Sequence, residues 1–193
     1  MGRIARFSYD AFVDAALKIV VERGPAAVTV AAIAGEVGAP VGSVYHRFLS
    51  RDILLAEAWL KVVSSFQAGF LQILEKGGGL DAAIYTPCWV RSHPDEARIL
   101  LLYRREELVS GEWPADLKEK TRALQRDLDE RFRGYVARVF GKDGQKNLNR
   151  AVFAIVDLPY AAVIRSIRQG KKPPREVDVY IRQTYRTIME MNG

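Results

Sequence analysis

Apolar residues recur at three- and four-residue intervals along almost the whole chain, and no stretch alternates at period two. The pattern therefore predicts helices throughout and no sheet. The first helix is expected to open after Ser8, an N-cap residue, with Phe7 and Phe12 placed to pack across the cap as a hydrophobic staple. Phe12, Ala16, Ile19 and Val20 form its buried stripe, and Gly24-Pro25 ends it, because glycine accepts the terminal conformation and proline cannot continue a helix. Thr29 caps a second, short helix that ends at Val37, with Val28 and Ile33 as its staple and Gly38 as the turn. A third short helix is expected from about Pro40 to Arg47. Ser50 then caps a long amphipathic helix, with Leu49 and Leu54 as a third staple and Asp52 favoured by the positive end of the helix dipole.

Gly77-Gly78-Gly79 breaks the long helix, and further helices are expected at roughly 80–92, 95–110, 115–140, 144–168 and 175–191. The breaks between them are His93-Pro94, Gly111 to Pro114, Gly141 to Gly144 and Gly170 to Pro174, with no internal repeat and no low-complexity tract. The aromatic residues of this region, among them Trp59, Phe66, Phe70, Tyr85, Trp89, Tyr103, Trp113, Phe153 and Tyr160, are expected mostly in the core. Cys88 is expected as a small buried hydrophobe. Asp157 interrupts the apolar run AVFAIVDLPYAAVI and needs a partner, while Pro159 frees the carbonyl of Ile155. Solvent, a dimer interface and a pocket are all open to that carboxylate.

Residues 29–48, TVAAIAGEVGAPVGSVYHRF, carry the most specific signal. Two short helices that cross tightly need a small residue at the crossing and apolar residues around it. Ala34 supplies the first; Ile33, Val37, Val44 and Phe48 supply the second; Gly38 supplies the left-handed backbone of the turn. A second helix that enters the major groove needs an outer face of small or hydrogen-bonding residues. Val41, Gly42, Ser43, Tyr45, His46 and Arg47 meet that requirement.

The run from Phe7 to Leu55 resembles the DNA-binding region of the tetracycline-repressor (TetR) family. The resemblance rests on the helix from Ser8, the TVAAIAGEVG stretch, the run Gly42 to Phe48 and the S-R-D-I-L that comes next. It implies that Thr29 holds a phosphate through its hydroxyl and nearby N–H groups, that Tyr45 and His46 contact phosphates or base edges, and that Arg51 binds phosphate at the opening of the fourth helix. Gly42 would permit close approach to DNA, and Val41 and Ser43 would touch bases, Val41 at a thymine methyl. Two positions depart from the family: Pro40 stands where a capping Ser or Thr is usual, and Arg47 replaces a common aromatic. Pro40 suits a first helical position but removes one hydroxyl anchor. Arg47 adds a charge for a guanine or a phosphate. Arg3 and Arg6 are expected as a flexible arm toward the backbone or minor groove.

Composition adds less. The chain has 193 residues with 49% hydrophobic and 27% charged, the proportions of an ordinary globular protein. A net charge of +6 favours a polyanionic partner weakly, since residues 1–51 hold six basic against four acidic residues and most of the excess lies beyond them. The basic run Arg165, Arg168, Lys171, Lys172, Arg175 reads as a solvated loop. One cysteine permits no internal disulfide, no secretory signal is visible, and no apolar stretch is long enough to span a bilayer, so a cytoplasmic location is the expectation. Only two histidines exist, His46 and His93, without metal-ligand neighbours, and the glycines at 77–79 lack a following Lys-Ser/Thr; no catalytic, metal or cofactor site emerges.

The resulting expectation is an all-α protein: a three-helix helix-turn-helix DNA-binding head over residues 1–50 and a helical ligand-binding and dimerisation body over 51–193. By the resemblance, it is a ligand-responsive regulator, a repressor by default, binding a palindromic operator as a homodimer. The last two long helices, with Leu148, Val152, Ile155, Ile164, Ile181 and Ile188, are expected to build the dimer. The alternative from another class is a helical interaction protein whose head docks on a protein.

Overall fold

The computed structural model describes residues 7–102, 113–141 and 144–190, and these are helical with no strand among them. Ser8 caps α1 (Tyr9–Arg23) by accepting the Ala11 N–H, and Thr29 caps α2 (Val30–Val37) by accepting that of Ala32. A single 3₁₀ turn at Pro25–Ala27, which the sequence pattern does not announce, joins them. The third helix, α3 (Val41–Tyr45), is followed by α4 (Arg51–Lys76), where the Ser50 hydroxyl accepts the Ile53 N–H. All three expected caps are therefore formed. The first staple is present, with the Phe7 and Phe12 rings 6.4 Å apart. The third is not: Leu54 is fully buried, but Leu49 points into solvent.

Further along lie α5 (Gly79–Ser92), α6 (Pro94–Leu102), α7 (Ala115–Phe140), α8 (Gln145–Val152), α9 (Leu158–Arg168) and α10 (Glu176–Met189). Between α8 and α9 the helix widens into one π turn at Phe153–Asp157, where the Leu158 N–H reaches the Phe153 carbonyl. Pro159 follows at once. It has no N–H to give the Ile155 carbonyl, and the widened turn lets the helix continue past it.

The chain divides into two compact units, one holding residues 7–63, 98–102 and 113–121, the other 64–97, 122–141 and 144–190. The division expected at residue 50 marks the entry to α4, and that helix continues from the first unit into the second. The first unit is built on Phe12, Ala16, Ile19, Val28, Ile33, Ala34, Val44, Phe48, Leu54 and Leu55, all buried. Full burial of one such side chain contributes about 1.5–3 kcal/mol, enough that a few of them hold so small a head. The core of the second unit joins Phe70, Leu71 and Leu74 of α4 to Ala82, Phe132, Tyr135, Val136, Ala151, Ala154 and Ile155. A satellite cluster joins Ala83 and Ile84 to Val177 and Ile181.

Several sequence expectations are corrected here. Of the residues expected at a dimer interface, Ile155 and Ile181 are buried within the chain, and Leu148, Val152, Ile164 and Ile188 are half-buried. The exposed apolar side chains on α8 to α10 are instead Phe153, Val156, Tyr160, Val179 and Tyr180. Phe153 and Tyr160 are thus outside the core in which they were expected, and the exposed Asp157 lies on the same stretch. Cys88 is exposed on α5, with its sulfur accepting from Arg91, because its neighbours Pro87 and Trp89 take the buried positions. Tyr103 lies outside the described residues. No helix among the described residues is long and apolar enough to cross a membrane.

Candidate nucleic-acid interface

The geometry of the helix-turn-helix comes from three local features. Gly38 adopts a left-handed conformation at φ 70°, where its N–H and that of Ala39 turn back to the carbonyls of Gly35 and Ala34. A side chain at this φ would strain the turn. Ile33 and Ala34 on one side and Val44 on the other are buried, so the small Ala34 lets α3 lie close over α2. Pro40 is the residue before α3 rather than its first member. It offers no side-chain cap, and its carbonyl accepts the Ser43 N–H at 2.9 Å.

The far end of α3 is held by aromatic contacts. Helical hydrogen bonds continue to His46, which donates to Gly42, and to Phe48, which donates to Val44. The buried Phe48 ring lies 4.7 Å from Tyr9 and 6.3 Å, edge-on, from Phe12. Tyr9 was not singled out in the sequence; burial, then the Glu57 carboxylate of α4, hold its pKa above the ordinary tyrosine range. Glu57 also receives Lys120 of α7 at 2.8 Å, and Lys61 pairs with Asp14. These polar bridges tie α1, α4 and α7 within the first unit.

The outward surface comprises Thr29, Pro40, Val41, Gly42, Tyr45 and His46, all exposed, with Ser43 half-buried. Thr29 keeps its hydroxyl proton free for an outside acceptor while its oxygen serves the α2 cap. At Gly42 a Cβ would meet nothing within 4 Å, so no contact within the chain requires a glycine there. Absence of a side chain there matters only to something that approaches from outside.

Arg47 and Arg51 are turned inward. The Arg47 guanidinium donates to the carbonyl of Phe7 at 2.7 Å and of Ser43 at 3.3 Å, and lies 5.5 Å from the centre of the Phe12 ring. Arg51 donates through Nε to the Val28 carbonyl and through Nη2 to that of Pro25, each at 2.5 Å, and pairs with Asp52 through Nη1. These two side chains brace the head, Arg47 pinning α3 to Phe7, which precedes the α1 cap, and Arg51 pinning the 3₁₀ turn to α4. Lys18 is held likewise by Glu36. Arg3 and Arg6 lie outside the described residues. The basic residues Arg165, Arg168, Lys171, Lys172 and Arg175 are all exposed, the first two still within α9. Among the described residues, no group of three or more His, Cys, Asp or Glu is placed to hold a metal ion.

Comparison with known proteins bears first on this head. Residues 12–58 match the family model described as bacterial regulatory proteins, tetR family. No curated protein sequence matches the chain. Several solved structures share its fold over nearly its whole length. A protein from Shewanella sp. PV-4 assigned to the tetR family of transcription regulators is 18% identical, with 95% of this chain and 96% of that one covered and a TM-score of 0.69. The multidrug binding protein EbrR, solved with imidazole, is 15% identical, with 95% and 96% covered and a TM-score of 0.62. The transcriptional regulator FadR from Bacillus subtilis, in complex with stearoyl-CoA, is 13% identical, with 96% and 100% covered and a TM-score of 0.57.

Proposed function

We propose that this chain, whose helix-turn-helix region matches the tetR family model, is a transcription regulator that binds a palindromic DNA operator as a homodimer and changes its grip when a small molecule binds its helical body. Repression is the default mode, in the cytoplasm. The observation that carries the reading is the exposure of α3: its outer face is open from Val41 to His46, while Val44 and Phe48 anchor its inner face. A head that reads the major groove needs that arrangement.

Thr29, Ser43, Tyr45 and His46 supply hydroxyl and imidazole groups for phosphates and base edges, and Gly42 allows close approach. The second copy is held through the exposed apolar side chains of Phe153, Val156 and Tyr160 on the α8–α9 stretch and Val179 and Tyr180 on α10. Two recognition helices would then meet successive major grooves about 34–36 Å apart. Proteins of the same fold hold imidazole and stearoyl-CoA, which supports a small-molecule ligand here. Such a ligand acts only by differential affinity for two arrangements of the dimer. The lever is α4, which starts beside the Arg51 brace and ends with Phe70, Leu71 and Leu74 in the second core.

The test is selection of bound duplexes from a random pool, then titration of the enriched sequence. A palindrome bound at least about 10³-fold more tightly than random DNA is expected. If no sequence is enriched, or scrambled DNA binds equally well, the function is refuted.

A further inference from the structure

Large apolar side chains at the surface of the described residues gather in few places, and one of them is the recognition helix. Val41 is 45% exposed, Tyr45 57% and Leu49 86%. Val41 and Tyr45 stand one helical turn apart and share a face. Leu49 lies four residues further on, just beyond the last helical hydrogen bond. Gly42, beside Val41, presents no side chain, so the face of Val41 and Tyr45 can come close to whatever it meets.

The polar alternatives on the same helix are few. The commonest specific major-groove contact is an arginine fork on guanine O6 and N7. Arg47 is the arginine of this segment, and its fork is engaged by the Phe7 and Ser43 carbonyls. No Asn or Gln, the residues that pair with adenine, occurs between Thr29 and Arg51. What α3 offers a base edge is one half-buried hydroxyl at Ser43, the Tyr45 and His46 tips, and apolar surface. In the major groove the apolar group of a base pair is the pyrimidine C5-methyl.

Resting on the proposed DNA-binding function, we infer that the exposed apolar side chains of Val41, Tyr45 and Leu49 read pyrimidine C5-methyl groups, so that the operator half-site is defined by methyl positions more than by guanine contacts. The chemistry is the same for thymine and 5-methylcytosine.

Two selections distinguish the sources, one from ordinary DNA and one from a pool with 5-methylcytosine in place of cytosine. Enrichment from the ordinary pool assigns the methyl to thymine; enrichment from the methylated pool alone assigns it to 5-methylcytosine. The enriched operator is then remade with each thymine replaced in turn by deoxyuridine, or each 5-methylcytosine by cytosine, which removes only the methyl. Affinity is expected to fall about fourfold for each buried methyl lost. In Val41→Ser and Leu49→Ser, whose side chains are exposed and contribute little packing, this penalty should vanish at the positions each residue covers. Undiminished binding to the demethylated operator overturns the inference while leaving DNA recognition intact. A penalty that persists unchanged in both variants also overturns it, because duplex shape would then carry the effect. Failure to enrich any sequence from either pool refutes the function and the inference together.

Discussion

Replacing Arg51 by alanine separates two roles that its position in the chain leaves indistinguishable. The guanidinium donates to the carbonyls of Val28 and Pro25 and neighbours Asp52. A hydrogen bond from a charged donor contributes about 1.5–3 kcal/mol, and partial exposure puts each of these near the lower end. The ion pair with Asp52 is surface-exposed and adds under about 1 kcal/mol. Arg51→Ala should therefore destabilise the protein by about 3 kcal/mol. In a chain of this size that lowers Tm by about 6–12 °C. Arg51→Lys keeps the charge, but one ammonium lacks the planar fork that spans two carbonyls, so about half the loss should remain. Thermal unfolding monitored by circular dichroism measures the first effect, and fluorescence anisotropy with the selected operator measures the second. If Arg51 serves only a phosphate, alanine weakens operator binding and leaves Tm unmoved. An unmoved Tm in both variants refutes the brace.

Gly42→Ala meets no neighbour and gains helix propensity, so stability should hold or rise by up to about 1 kcal/mol while operator affinity falls; equal affinity would remove the close approach. Val156→Glu places a charge among exposed apolar side chains and should turn a dimer into a monomer in sedimentation without disturbing helicity; an unchanged mass would displace the interface from this face. Gly79→Ala drives a Cβ into the hydroxyls of Tyr135 and Tyr185, which are bonded to each other at 3.0 Å, and should cost about 1–3 kcal/mol in urea unfolding; a neutral substitution would show that the tyrosine pair shifts freely. The braces also set the salt dependence. With Lys18, Arg47 and Arg51 engaged internally, log affinity should fall with log salt with a slope no steeper than about −4, and Arg47→Gln should leave that slope unchanged; a slope near −8 that Arg47→Gln makes shallower would return Arg47 to the phosphates.

The fold was legible because caps and apolar stripes are local. Ser8, Thr29 and Ser50 each satisfy a helix N–H three residues on, and a three-residue pattern can be read without knowing anything distant. Periodicity likewise names the helices, but it does not say which of two apolar faces the chain itself will cover. Ile155 and Phe153 both belong to the run AVFAIVDLPYAAVI. Packing against the core formed by Phe70, Leu71, Leu74, Tyr135 and Val136 decides that Ile155 is buried and Phe153 is not. Tertiary assembly made that choice, and no spacing along the sequence records it.

The candidate site was legible in its place and less so in its chemistry, for a related reason. A sequence lists donors without their partners, and a basic residue at a DNA-facing position reads as a ligand for phosphate. Arg47 and Arg51 instead meet carbonyls contributed 40 and 26 residues earlier, at Phe7 and Pro25. For Arg51 the signal that could have found it is the loop it closes. A positive φ at Gly24 (φ 81°) followed by a 3₁₀ turn leaves the Pro25 and Val28 carbonyls outside any α-helical ladder, where a side-chain donor can reach them. Leu49 shows the converse. Read as one half of a staple it belonged to the fold, yet Leu54 packs without it, and a leucine left almost wholly in water contributes nothing to folding. On the proposed function, its stabilising partner lies on another molecule. The residues that look most like DNA ligands brace the head within the chain, and the residue that looks most like core stands in water.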